Sequence, residues 1–307
     1  MKRRTGFVLL ALAGVLPAIM QAQAQVSRPI FKTGIELVSI SASVKRGNVP
    51  VSGLAAADFA LFDEEVPQAI EALTLERVPL DVTLFMDTSH STAGVQNRMR
   101  RDVEQMMAML APEDRVRLLT IGLSVQMPVP WRPGGKSDVP TLPSLPGISL
   151  IYDTLTVALA HVPAPDRRHL IVAMTDGEDC GSIADGPQVL EMSGRTESVL
   201  HWVRVRSQGG MLPHGVPAWC TPMDGLQTDY VSQAARRSGG DGHSGFLDVG
   251  DPTVDVFRDL LNDFRHSYVL RYTPAGVRTG GWHRVRVTVP GHPDYKLQFR
   301  AGYYAAP

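Results

Sequence analysis

The run Leu170-Ile171-Val172-Ala173-Met174 constrains the fold of this chain more than any other stretch. Five apolar residues without polar alternation describe a strand covered on both faces, as in a parallel sheet with helices on either side. A second buried-strand run, Val82-Thr83-Leu84-Phe85-Met86, lies upstream, and strand and helix patterns alternate across residues 78–266. After that run Val95, Met99, Val103, Met106 or Met107 and Leu110 recur at helical spacing, and Pro112 closes the helix. Residues 115–122 read as a strand and 125–131 as a strand or hairpin arm. Tyr152, Leu155, Leu159 and Val162 mark another helix. Residues 199–205 read as the next strand. Residues 226–237 and 253–264 read as helices, with Phe246-Leu247-Asp248-Val249 as a strand between them. The expected class is α/β, a doubly wound and mostly parallel sheet with helices on both faces.

The flanks differ. From residue 34 to 77 the pattern is strand-like, with a Gly47-Asn48 turn. The tail is β-rich again in residues 268–272, 282–289 and 295–303, separated by Gly/Pro turns. The expected organisation is a leader at 1–24, an amino-terminal β module at 25–77, the α/β domain at 78–266, and carboxyl-terminal strands at 267–307 that pack with the amino-terminal module. Residues 207–225, rich in Gly and Pro, form the longest irregular stretch and a candidate recognition loop.

Lys2-Arg3-Arg4, an uncharged apolar stretch from Phe7 to Met20, and Ala22-Gln23-Ala24 read as a cleavable secretory signal. The apolar stretch is short for a span and contains Pro17. The expectation is therefore an exported protein, periplasmic or secreted, without stable membrane insertion after cleavage. Loss of those three basic residues leaves 27 Lys+Arg against 31 Asp+Glu, a net charge of −4. No stripe of Lys and Arg interleaves with aromatics, so nucleic acid is not an expected partner. The two cysteines, Cys180 and Cys220, are expected to form one disulfide in an oxidising compartment, with two buried thiols as the alternative.

Three short motifs carry the chemistry. Asp87-Thr88-Ser89-His90-Ser91 follows the first buried strand, where open α/β sheets bind ligands. Ser149 precedes Tyr152-Asp153 at a helix start, and Asp176 opens Asp176-Gly177 after the Leu170–Met174 strand. Carboxylates and hydroxyls at such loop positions form an oxygen-rich cage of the kind hard divalent cations prefer. Each motif alone also fits an ordinary helix cap or turn. Their order along the chain favours one site.

In that order the three motifs resemble the metal-ion-dependent adhesion site of von Willebrand factor type A (VWA) domains. Gly53-Leu54 to Pro67-Gln68, Tyr268 to Pro274 and Arg300-Ala301-Gly302-Tyr303-Tyr304 resemble the flanks of a bacterial group of exported VWFA-related proteins. The resemblance implies Mg²⁺, with Mn²⁺ as the alternative. Ser89, Ser91 and Ser149 would be hydroxyl ligands, and Asp87 and Asp176 would act directly or through water. One coordination position would stay open for a carboxylate of a protein partner. Ser149 stands where the family usually has threonine. Catalytic residues are not expected, and the implied role is a non-enzymatic binding module. Two other readings stand beside it: a metal-independent assembly protein with a vestigial site, and a metal-dependent hydrolase. Gly134-Gly135-Lys136-Ser137 lacks the first P-loop glycine and reads as a turn. Glu178 and Asp179 read as solvated residues beside the rim.

Overall fold

The computed structural model describes residues 37–75, 78–121, 124–142, 149–205, 226–247 and 253–305. The expected signal peptide, the 207–225 loop and Cys220 lie outside the described residues, so the Cys180–Cys220 pairing does too.

The centre is a six-stranded sheet flanked by helices. Its strands are β6 (Leu80–Asp87), β7 (Arg115–Ile121), β8 (Val125–Pro133), β9 (Arg168–Thr175), β10 (Val199–Val205) and β11 (Gly242–Leu247), in the order β11-β10-β9-β6-β7-β8. All neighbours are parallel except β7 and β8, which form an antiparallel hairpin. The chain starts in the middle of the sheet, runs outward to one edge, then crosses back to build the other. That reversal between β6 and β9 is the switch point at which doubly wound sheets bind ligands.

Helices α1 (Gln96–Ala108), α2 (Ile151–Leu159), α3 (Gly186–Arg195), α4 (Leu226–Ser238) and α5 (Thr253–Arg265) cover the sheet. Alternate residues of the central strands feed two cores. Val82, Leu84, Met86, Leu170, Val172 and Met174 pack with Met99, Val103, Phe257 and Leu261 on the α1/α5 side. Phe85, Ile171 and Ala173 pack with Leu155, Val189 and Val231 on the other. The unbroken apolar runs are thus the direct consequence of two covered faces. Each fully buried Leu, Ile or Phe contributes roughly 1.5–3 kcal/mol.

The remaining strands build two antiparallel sheets. β1 (Val38–Arg46), β2 (Val49–Pro50), β5 (Ala72–Leu75), β12 (Tyr268–Tyr272) and β14 (Tyr295–Phe299) form one, in the order β14-β1-β12-β5 with β2 beside β1. β3 (Ala60–Asp63), β4 (Val66–Gln68), β13 (Gly281–Thr288) and β15 (Gly302–Ala305) form the other, in the order β15-β13-β3-β4. Strands from both chain ends pair directly: Ile40 faces Leu270 and Leu61 faces Val287. Ile40, Val44, Leu61, Tyr268, Leu270 and Val285 share one core.

Three sequence expectations change. Residues 295–303 are two strands in different sheets, because the chain turns at Arg300. That side chain is buried, donating to the Gly302 carbonyl at 2.7 Å and to the Gly194 carbonyl. Gly302 allows the crossing, since a Cβ there would lie 2.0 Å from the His283 carbonyl oxygen. Second, α3 has no counterpart in the sequence reading. Its start is a capping box in which Gln188 N–H donates to Asp185 at 2.8 Å and Asp185 N–H donates to Gln188 at 2.9 Å. Third, β11 begins at Gly242, ahead of the expected Phe246.

Candidate metal centre

β6 and β9 are neighbours, so their carboxyl ends deliver Asp87 and Asp176 side by side. Met86 is in register with Met174, and the two loops leave the sheet together. Asp87 is fully buried at the floor. Its Oδ1 accepts from the Ser89 N–H at 2.9 Å, and its Oδ2 accepts from the Thr175 hydroxyl at 2.7 Å. Above it, the Ser89 and Ser91 hydroxyl oxygens lie 3.0 Å apart, and the Ser91 hydroxyl donates to Asp176 Oδ2. Four of the five expected side chains therefore form one connected oxygen cluster.

The loop after β6 is held by its own side chains. The Thr92 hydroxyl donates to the Asp87 carbonyl at 2.9 Å and to the Ser89 carbonyl at 3.1 Å. Gln96 Nε2 donates to the same Ser89 carbonyl at 2.8 Å. These bonds wind His90–Thr92 into a 3₁₀ turn and postpone α1 to Gln96, later than the apolar periodicity alone indicates. Hydroxyls that bond to nearby backbone compete with regular helix in this way. His90 is exposed, and no hydrogen bond joins it to Ser89 or Asp176 among the described residues.

After β9 the chain reverses at Gly177, whose φ of +86° favours glycine. Asp176 Oδ1 then accepts the Glu178 N–H at 3.0 Å, an Asx turn that fixes the carboxylate's direction. The Trp202 indole donates to the Thr175 carbonyl at 3.0 Å and anchors the end of the strand.

Ser149 reaches this region differently. It is buried, and its carbonyl accepts the Cys180 N–H at 2.7 Å, which ties it to the loop carrying Asp176. Among the described residues no hydrogen bond joins its hydroxyl to the other four side chains. Asp179 departs from the expected solvated role. It is partly buried, accepting the Tyr152 N–H at 2.9 Å and the Ser182 hydroxyl at 2.6 Å, and so caps the start of α2 from across the chain. Asp153, on the first turn of α2, returns the contact by accepting the Ala184 N–H at 2.8 Å. Sequence reasoning missed this pair. The signal available was a helix start without a local Ser, Thr, Asp or Asn cap.

The electrostatics suit a cation. Burial, then the charge of Asp176, pushes the Asp87 carboxyl up to about 7, against hydrogen bonds from Ser89 and Thr175. Burial also raises Asp176, outweighing the Ser91 hydroxyl, the Glu178 N–H and the Arg204 charge. Two neighbouring carboxylates that resist ionising together are relieved by a divalent ion bound between them. The donor set, two carboxylates and neutral hydroxyls, is all oxygen and matches hard cations such as Mg²⁺ or Mn²⁺. Among the described residues no group of three or more His, Cys, Asp and Glu side chains is arranged to hold a metal, so hydroxyl oxygens must complete any such shell.

No family profile matches the chain, and no curated protein does. Solved VWA-type structures are similar in fold. Proximal thread matrix protein 1 from the mussel byssus, solved with a zinc-occupied MIDAS motif, is 14% identical over 67% of this chain and 50% of that one, with a TM-score of 0.43. The ArnB paralog VWA2 from Sulfolobus acidocaldarius is 10% identical over 87% of this chain and 76% of that one, TM-score 0.42. Manganese-loaded TRAP protein from Plasmodium vivax is 11% identical over 78% and 97%, TM-score 0.40. At these scores the likeness adds nothing to the strand order and the donor set, which carry the site by themselves.

Proposed function

We propose that this chain is an exported, non-enzymatic VWA-type binding module that captures an acidic group of a protein partner through a divalent ion. Asp87, Ser89, Ser91, Ser149 and Asp176 would hold the ion, Mg²⁺ or Mn²⁺. The carrying observation is the cluster in which the Ser89 and Ser91 hydroxyls and the Asp176 carboxylate sit over the buried Asp87. When bound, the ion supplies an electron-poor coordination position that attracts a carboxylate. The protein's own residues do the rest. Thr92 and Gln96 fix the serine loop, Gly177 turns Asp176 inward, and Asp179 holds the start of α2 beside Ser149. Neutral hydroxyls leave the ion less satisfied than a ring of carboxylates would, which favours an acidic partner. Export rests on the amino-terminal signal pattern. Among the described residues no helix is long and apolar enough to cross a membrane.

Calorimetry with Mg²⁺ and Mn²⁺ tests the reading. Saturable one-to-one binding is expected for the protein and none for Asp87→Ala or Ser89→Ala, with far-ultraviolet circular dichroism unchanged. A partner retained equally well in excess chelator overturns the metal-dependent reading.

A further inference from the structure

At the opposite end of the parallel sheet, where β11 begins, a second site opens. A cleft of about 860 Å³ lies between the last turns of α4 and the edges of β13 and β14. That volume is within the usual range for ligand sites, roughly 300–1,000 Å³. Its wall is cationic: Lys45, Arg236, Arg237, Arg284 and Lys296 line it, against one carboxylate, Asp241. In a protein whose formal charge is −1, this is a marked local excess.

Three of these cations are already engaged, Arg236 with the Ser232 hydroxyl among other partners. Lys45 pairs with Asp263. Arg237 stacks over Trp282 at 4.2 Å and donates to the Leu190 carbonyl at 3.1 Å. Lys296 and Arg284 are exposed, and neither forms an ion pair among the described residues. Lys296 is also directly opposite Lys45 across the β1/β14 ladder. Like charges at directly opposed positions destabilise a sheet; Asp263 already balances Lys45, which leaves Lys296 as the member of the pair that an added anion would meet.

The backbone points to the shape of that anion. β14 has a strand neighbour on one side only, β1, and its other edge carries no strand among the described residues. An antiparallel edge strand leaves the N–H and C=O groups of alternate residues unpaired, a template for an added strand. Tyr295, Leu297 and Phe299 pack against the sandwich core, and Lys296, Leu297, Gln298 and Phe299 all line the cleft, which therefore runs along the strand. Gln298 Nε2 donates to the Gly239 carbonyl at 3.3 Å and ties the strand to the end of α4.

We propose that this cleft docks an extended acidic peptide segment of a partner protein, which adds a strand to β14 and places its carboxylates against Lys296 and Arg284. Strand addition supplies affinity through the main chain, and the cationic wall selects the sequence. The site is independent of the metal centre, which lies at the carboxyl ends of the same parallel strands.

The test uses the full chain and a fluorescein-labelled heptapeptide of alternating threonine and glutamate, followed by anisotropy. Saturable binding is expected, unchanged by chelator and by Asp87→Ala. Lys296→Glu and Arg284→Glu, both exposed side chains, are expected to weaken it roughly tenfold or more while leaving the melting curve in place. Lys296→Gln is expected to give an intermediate loss. A peptide N-methylated at alternate residues, which cannot pair with a strand edge, is expected not to bind. Equal binding of the N-methylated peptide overturns the proposal, as does full binding by Lys296→Glu. Failure of the peptide where heparin binds the same cleft also overturns it, in favour of an acidic glycan.

Discussion

Asp81 and Asp87 lie on one strand, both fully buried, and their surroundings push them in opposite directions. Asp81, near the amino end of β6, accepts from Arg115 Nε at 2.9 Å, Arg167 Nε at 2.6 Å and His161 Nε2 at 2.8 Å. Burial raises its carboxyl, but those three partners overcome it and hold it well below the usual carboxylate range. Asp87, at the carboxyl end, has hydroxyl and N–H donors and a second carboxylate for a neighbour, and rises to about 7. The same residue type on the same strand is thus a completed ion-pair centre at one edge and an uncompensated acceptor at the other. Burial is common to both. What distinguishes structure from binding here is whether the protein itself supplies the positive charge.

The largest expected effect falls on the completed centre. Asp81→Ala strands Arg115, Arg167 and His161 and is expected to cost about 3–5 kcal/mol in urea unfolding, as for a broken buried pair. Asp87→Ala in chelator is expected to cost far less, or to stabilise. Equal losses at both positions would break the comparison.

The pH profiles of the two carboxylates should run in opposite senses. Asp81 is depressed in the folded state, so its contribution is present above the unfolded value near 4 and is lost as pH falls below it. Asp87 is raised, so its contribution is present below the unfolded value and is lost as pH climbs through about 7. In chelator, stability is therefore expected to fall between pH 4 and 8 on account of Asp87. Saturating Mg²⁺ is expected to remove this alkaline loss and leave the acid one. Chemical denaturation at stepped pH reads both limbs, and an alkaline loss that persists with metal contradicts the site.

Smaller changes sharpen the picture. Asp179→Ala removes the cap on α2 and is expected to cost about 1–2 kcal/mol, with metal affinity falling because Ser149 leads into that helix. Loss of stability without any change in calorimetric Kd would detach Ser149 from the site. Ser149→Thr restricts the side-chain rotamer and is expected to tighten metal binding by about 0.5 kcal/mol, roughly twofold. Weaker binding would show that the added methyl does not fit.

The α/β class was legible because Leu170–Met174 and the residues around Leu84 are apolar on both faces, a pattern that only doubly covered strands require. Asp87, Ser89, Ser91 and Asp176 were legible because each lies within a few residues of such a strand end. α3 was not, since its apolar content is modest and its start depends on the Asp185–Gln188 box. The division of 295–303 was hidden too, because an alternating pattern does not say which of two sheets a strand joins.

The sequence alone thus determined where strands end and which oxygen-bearing residues stand there, because buried parallel strands and the turns after them are local chemistry. Tertiary structure decided what lies opposite what. It placed Asp176 beside Ser91, brought Asp179 to the start of α2, and set Lys296 against Lys45 above an open strand edge. Those pairings join residues 27 to 251 positions apart, and nothing local in the chain specifies them.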